Sequence, residues 1–389
     1  MKMTKIFAVV MALVLCLGCL AGCGGANYTK DNTEFVIGVS GPLTGGAAVY
    51  GVAVKNSAQM AVDEINAAGG FDGVKFKLVA TDDVHDPSKV AANYASMLEG
   101  GMQVSLGTVT TAPGLEFTKL SAEDNVFFLT PSASGDKIPE FDNGYQMCFA
   151  DSNQGAAAAE QVNEVYKNQT IGVFYKSDDP YSKGIFDKFK ENLDSSITLV
   201  ETVFTGEASD FSTQINVLKD CKFIFMPIYY GPASIFMNQA KDTIAADAVY
   251  YGCDGFDGLA GQFEDFSVIP QEVSMLSHFD SSATEGAAAE YIKKYTEKFG
   301  ADTLNQFGAS AYDCVYAIYN AMKAAKAAGK EIDVTISASD LCDILKEQFN
   351  GGFTYSGNTG KDITWESNGY VKKGAVKYVL KNANAVDEK

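Results

Sequence analysis

From Phe35 to Leu276 the chain alternates short, β-rich apolar runs with segments of helical period, and this alternation restricts the fold more than any other feature. The runs are Phe35–Val39, Val74–Ala80, Met102–Leu106, Val126–Leu129, Ile171–Tyr175, Ile197–Val203, Phe223–Pro227, Val249–Tyr251 and Val273–Leu276. Several are continuously apolar, as strands buried on both faces are. Between them, Val54, Ala58, Ala61, Val62 and Ile65 fall on one helical face, and Ile185, Phe186, Phe189 and Leu193 fall on another. Alternation of this kind predicts an α/β fold with parallel sheets joined by crossover helices. Residues 283–299, 305–328 and 337–349 read as three more helices, and 353–381 as short strands with Gly-rich turns. At 389 residues, two such domains are expected.

The first residues do not belong to that pattern. Lys2 and Lys5 precede an unbroken apolar or small-residue run from Ile6 to Gly22, which reads as an export signal over 1–22. The run is marginal for a membrane span, and no second candidate follows it. Its end, Leu20-Ala21-Gly22-Cys23, resembles the bacterial lipobox, which implies cleavage before Cys23 and lipid attachment to its sulfur. Residues 23–33 are then a lipid anchor and polar linker. The CxxC formed by Cys16 and Cys19 lies inside the signal and has no metal or redox meaning. Five cysteines remain: Cys148, Cys221, Cys253, Cys314 and Cys342. They lack zinc-ligand spacing and read as small core residues; a Cys314–Cys342 disulfide is left open.

Charge narrows the chemistry. Lys+Arg total 30 against 49 Asp+Glu, for a net charge of −19, and every basic residue is lysine. So acidic a chain repels phosphate backbones, which argues against nucleic-acid binding. Without arginine it has no planar fork for a carboxylate, so an anion site must use lysine, hydroxyls, backbone N–H groups or helix N-termini. Nucleotide-binding, zinc-protease and serine-hydrolase motifs are missing, and His85 and His278 are the only histidines. No enzyme, metal or cofactor is expected. The cluster Asp82-Asp83-Val84-His85-Asp86-Pro87 could suggest a metal site. It reads better as a strand ending at Asp82, followed by a helix that opens at Pro87 with Asp86 as its cap.

Ligands of parallel α/β sheets bind beyond the carboxyl ends of the strands. After Met102–Leu106 come Thr110 and Thr111, with Pro113 placed as the first residue of a helix. After Val126–Leu129 come Ser132, Ala133 and Ser134. Together they offer hydroxyls and free N–H groups to a carboxylate. In the second half, Tyr181, Tyr229, Asp254 and Phe256 follow strand ends, so an acid among rings could receive an ammonium group. Asp257 alternatively caps the next helix.

Ile37-Gly-Val-Ser-Gly41-Pro42-Leu-Thr44-Gly, then Tyr50-Gly51 and Ala61-Val-Asp-Glu-Ile-Asn66-Ala-Ala-Gly69-Gly70, resemble the leucine/isoleucine/valine-binding proteins. The resemblance continues through Asp82-Asp83, Asp86-Pro87, Thr110-Thr111, Pro131 to Ser134, Tyr181 to Gly184, Tyr229-Tyr230 and Gly252 to Phe256, and covers about 34 to 381. It implies a type I periplasmic binding protein: two doubly wound lobes joined by three crossings, near 150–153, 279–283 and 350–355. The lobes would be 34–151 with 281–352, and 152–280 with 353–389. Carried over, Thr110 or Thr111 would hold a ligand carboxylate. The Ala133 carbonyl and Ser134 would bind the ammonium with Asp254, beside Ser132. Tyr50, Tyr181, Tyr229 and Phe256 would enclose the side chain. The implied protein is a monomeric, lipid-anchored, extracytoplasmic component of an ABC amino-acid importer. It would close on a neutral, branched-chain or other hydrophobic L-amino acid and deliver it to a membrane permease. The alternatives are an aromatic amino acid, a small amide or carboxylate, or a ligand sensor of the same fold.

Overall fold

A computed structural model describes residues 28–373, 376–381 and 384–387; the signal segment and Cys23 lie outside them. The first lobe is built on β1 (Phe35–Gly41), β2 (Phe76–Asp82), β3 (Val104–Ser105), β4 (Phe128–Thr130) and β5 (Gly144–Gln146), all parallel, in the order β2-β1-β3-β4-β5. All seven residues of β1 are buried, as its inner place requires, whereas the edge strand β2 is half-exposed. Gly38 in β1 leaves room for Met102, whose sulfur would lie 2.2 Å from a β-carbon there. The crossover helices are α1 (Ala48–Ala67), α2 (Val90–Glu99) and α3 (Thr111–Glu123).

The chain then enters the second lobe through α4 (Asp151–Val165). Parallel strands β6 (Thr170–Lys176), β7 (Thr198–Phe204), β8 (Phe223–Met226), β9 (Val249–Gly252) and β10 (Glu272–Ser277) alternate with α5 (Pro180–Asn192), α6 (Ser212–Leu218) and α7 (Tyr230–Ala240). It returns through α8 (Gly286–Phe299), α9 (Gln306–Ala327) and α10 (Ala338–Asn350). α9 packs on α1, where its fully buried face meets the first lobe's core. Two parallel sheets flanked by helices agree with the fold read from the sequence.

Two placements differ from that reading. The sequence put all of 353–389 with the second lobe. Instead β11 (Tyr355–Gly357), β12 (Gly360–Trp365) and β13 (Val371–Lys372) form a separate sheet against the first lobe. A buried indole needs an acceptor, and Trp365 Nε1 finds the Gln146 carbonyl at 2.8 Å. Only β14 (Val376–Lys381) and β15 (Asn384–Asp387) join the second sheet, antiparallel, in the order β15-β14-β10-β9-β8-β6-β7. Pro113, expected to open a helix, is the third residue of α3, because Thr110 already stands at the cap position. The open disulfide question resolves: Cys314 and Cys342 are both buried free thiols.

Candidate ligand-binding site

Strand ends of both lobes converge on one interlobe chamber, lined by Tyr50, Val109, Thr110, Thr111, Ser132, Ser134, Tyr181, Tyr229, Asp254, Gly255 and Phe307. About 10 Å³ in it is open to the centre of a water molecule, room for about one water. An amino acid therefore enters only with the lobes apart or the rings displaced.

The first-lobe wall is a helix start. Thr110 is extended (φ −113°, ψ 152°) and ends the β3–α3 turn, and it lines the chamber together with Thr111, the first residue of α3. The Thr111 hydroxyl is buried and has no partner. Behind it the Ser132–Ser134 loop is held by Thr130, whose hydroxyl accepts the Ala133 N–H at 3.1 Å. This wall carries the positive end of a helix dipole and suits an anion.

The second-lobe wall is acidic and aromatic. Asp179 accepts from Ser182 N at 3.0 Å, capping α5 and bringing Tyr181 to the chamber. The Tyr181 hydroxyl donates to Asp254 Oδ1 at 2.5 Å and accepts from Gly255 N at 2.8 Å. Gly255 is required there, since a β-carbon would stand 2.6 Å from that hydroxyl. Tyr229 stacks on Tyr181 with centroids 4.5 Å apart and planes at 10°, and its own buried hydroxyl has no partner. Burial raises the Asp254 carboxyl to about 6; hydrogen bonds from Tyr181 and Gln154 oppose the shift, and nearby Asp257 adds to it.

Hydrogen bonds beside the chamber tie the lobes together. The Tyr50 hydroxyl donates to the Gly255 carbonyl at 2.6 Å, and Val49 N donates to the Tyr230 hydroxyl at 3.4 Å. Asp257 Oδ2 accepts the Gln306 N–H at 2.9 Å. Asp257 thus caps a helix, as one sequence alternative had it, but the distant α9 and not the next one. Asp86 caps the turn at Pro87, accepting from Ser88 N at 2.9 Å. Among the described residues no cluster of His, Cys, Asp or Glu could hold a metal ion.

Eight of the sequence candidates face the chamber: Tyr50, Thr110, Thr111, Ser132, Ser134, Tyr181, Tyr229 and Asp254. Ala133 and Phe256 do not. Ala133 packs into the first lobe's satellite core, and its carbonyl accepts from Gln146 Nε2 at 3.2 Å. Phe256 folds back over Gly252, where a β-carbon would stand 2.2 Å from its ring. Reading strand ends alone missed Val109, Gly255 and Phe307. The first two adjoin candidates; Phe307 follows Asn305, whose side chain caps α9, but only the tertiary return turns that helix end to the cleft.

Asp151 was also missed. It starts α4, is 1% exposed, and its carboxylate makes no hydrogen bond of ordinary geometry, though the nearby Ser134 hydroxyl partly opposes the effect of burial. Burial first, then the Asp254 charge, hold its carboxyl well above the usual range. Its N–H donates to the Ser134 carbonyl at 2.8 Å, joining the site loop to the first crossing.

A family profile described as periplasmic binding protein matches residues 34–341. A Pseudomonas aeruginosa leucine-, isoleucine-, valine-, threonine- and alanine-binding protein is 29% identical over 245 residues, 61% of this chain and 64% of that protein. The Leu/Ile/Val-binding protein BraC3 of Rhizobium johnstonii is 31% identical over 58% of this chain and 62% of its own length. The chain thus spans just under two thirds of these two relatives. Leu/Ile/Val-binding protein homolog 1 of Brucella abortus aligns over 85% of both chains at 26% identity. Among solved structures, the Streptococcus pneumoniae branched-chain amino acid substrate-binding protein with isoleucine superposes at TM-score 0.78, with 24% identity, 91% of this chain and 100% of that one. A Rhodopseudomonas palustris solute-binding protein with benzoate superposes at 0.77, with 14% identity, over 91% and 95%. The chain belongs to the periplasmic binding proteins, as a type I member resembling the leucine/isoleucine/valine-binding proteins.

Proposed function

We propose that this protein is the extracytoplasmic solute-binding component of an ABC importer, capturing a neutral, branched-chain or other hydrophobic L-amino acid by closure of its lobes. One observation carries the reading: buried, unpartnered Thr111 and Tyr229 hydroxyls stand with Asp254 around one interlobe chamber. A buried polar atom without a partner costs about 1–3 kcal/mol, so the closed form lacks groups that a zwitterion would supply. The carboxylate goes to the start of α3, with Thr110, Thr111 and the Ser132–Ser134 loop, and the ammonium to Asp254. The side chain lies among Tyr50, Val109, Tyr181, Tyr229 and Phe307. The names of the P. aeruginosa, R. johnstonii and B. abortus relatives support the ligand class.

Thermal denaturation against the twenty amino acids tests this, because a ligand bound only by the folded protein raises its melting temperature. Leucine, isoleucine or valine should give the largest rise. The aromatic walls and the benzoate-bound neighbour favour one alternative, an aromatic carboxylate, which benzoate in the same screen detects. A panel with no rise for any amino acid refutes the amino-acid reading. Lipid attachment at Cys23 completes the proposal: fatty-acid label should appear on the wild type and vanish in Cys23→Ser. Equal label on both would contradict it.

A further inference from the structure

We propose that His85 is a positioning residue for the anion end of the site: by donating its Nδ1–H to the Thr110 hydroxyl, it turns the Thr110 proton toward the ligand carboxylate. The inference rests on the cleft reading above. It starts from the acidic loop after β2, which no metal explains. Val84 and His85 both have left-handed backbones, at φ 48° and 64°. Consecutive non-glycine residues rarely adopt this conformation, least of all a β-branched one, and such strain gathers at ligand clamps. Two carboxylates hold it in place. Val84 N donates to Asp82 Oδ1 at 3.0 Å, and His85 N to Asp83 Oδ1 at 2.9 Å. Asp83 is anchored in turn by the Ser40 hydroxyl at 3.1 Å.

The loop delivers the imidazole between the lobes. Nδ1 lies 2.8 Å from Thr110 Oγ1, and the ring stands edge-on to Tyr229 of the second lobe, centroids 5.3 Å apart at 83°. Thr110 occupies the cap position of α3, yet its hydroxyl makes no cap bond, so it is free to take His85. The chain has no arginine, and no lysine lines the chamber among the described residues. His85 is therefore well placed to polarise the anion end. If Nδ1 accepted instead, a Thr110 lone pair would face the ligand and repel a carboxylate.

Calorimetric titration of the full mature protein with leucine, leucinamide and benzoate separates the possibilities. His85→Phe keeps a ring beside Tyr229 and removes the donor. His85→Asn keeps an N–H near the place of Nδ1 and tolerates the left-handed backbone. We expect His85→Phe to weaken the bound carboxylate about tenfold, as loss of a bond serving a charged group does, and leucinamide less than about twofold. His85→Asn should restore most of the affinity, and His85→Phe should add nothing to Thr110→Val. Unchanged carboxylate affinity in His85→Phe overturns the proposal, as does equal loss for carboxylate and amide, or strict additivity with Thr110→Val. If the wild type binds leucine or benzoate while these hold, His85 alone is misassigned. If it binds no carboxylate at all, the cleft reading fails and this inference with it.

Discussion

Asp254 and Asp151 present the same physical difficulty, a carboxyl raised first by burial, to which the Asp254 charge adds at Asp151 and the Asp257 charge at Asp254. Burial leaves the Asp254 carboxylate short of a counter-charge, which a ligand ammonium would supply. Removing one partner of a desolvated ion pair costs about 2–5 kcal/mol, so Asp254→Ala should weaken amino-acid binding roughly 30- to 3,000-fold by calorimetry. Replacing the ligand ammonium by hydrogen should harm the wild type and spare the variant. Binding within about twofold of wild type would move the ammonium elsewhere. Thr111→Val removes a hydroxyl with no protein partner to lose, so its effect of about 1.5–3 kcal/mol should appear in binding and not in ligand-free melting. The pH dependence has a definite sign. Because burial lifts the Asp254 carboxyl to about 6, acid below that value protonates it in the closed form, and the ammonium must displace the proton. Affinity should fall as pH drops through 6, with proton release visible as buffer-dependent heats. Constant affinity from pH 7 to 5 contradicts the assignment.

At the scale of elements, the site is made where a strand becomes a helix. The β3–α3, β6–α5 and β8–α7 turns supply Thr110 with Thr111, Tyr181 and Tyr229, and the turn after β9 supplies Asp254. Much of this was legible, because a strand-ending apolar run followed by hydroxyls or by Asp-Pro marks such a turn. Long-range closure was not. β5 has only three residues and no pattern to announce it, and Phe307 reaches the cleft through a return that no local period encodes. Phe256 and Ala133 follow the right strands, yet their side chains turn into the cores, since position after a strand does not fix direction. Tyr50 provides the element-level test. Its hydroxyl reaches from α1 to the Gly255 carbonyl of the opposite lobe. Tyr50→Phe keeps the ring and deletes this short bond, typically about 0.5–1.5 kcal/mol, together with a long one that the hydroxyl accepts from Tyr230 N at 3.5 Å. We expect roughly 2- to 12-fold faster ligand dissociation in stopped flow, with melting of the ligand-free protein nearly unchanged. An unaltered dissociation rate would mean that this contact does not hold the lobes shut.

For the whole molecule, the closed arrangement carries its own instability. It buries the Thr111 and Tyr229 hydroxyls without partners and the Asp254 and Asp151 carboxyls away from water, and a ligand supplies partners only while the lobes stay together. A ligand shifts a two-state equilibrium by its differential affinity, so the ligand-free protein should populate open forms and the liganded one should close about its crossings. The most direct measurement is small-angle scattering of the protein, without ligand and with saturating leucine. Closure predicts a smaller radius of gyration with leucine, unchanged far-ultraviolet circular dichroism, and no contraction in Asp254→Ala at the same leucine concentration. An identical scattering curve from wild type with and without leucine, where calorimetry shows the site filled, would contradict capture by closure.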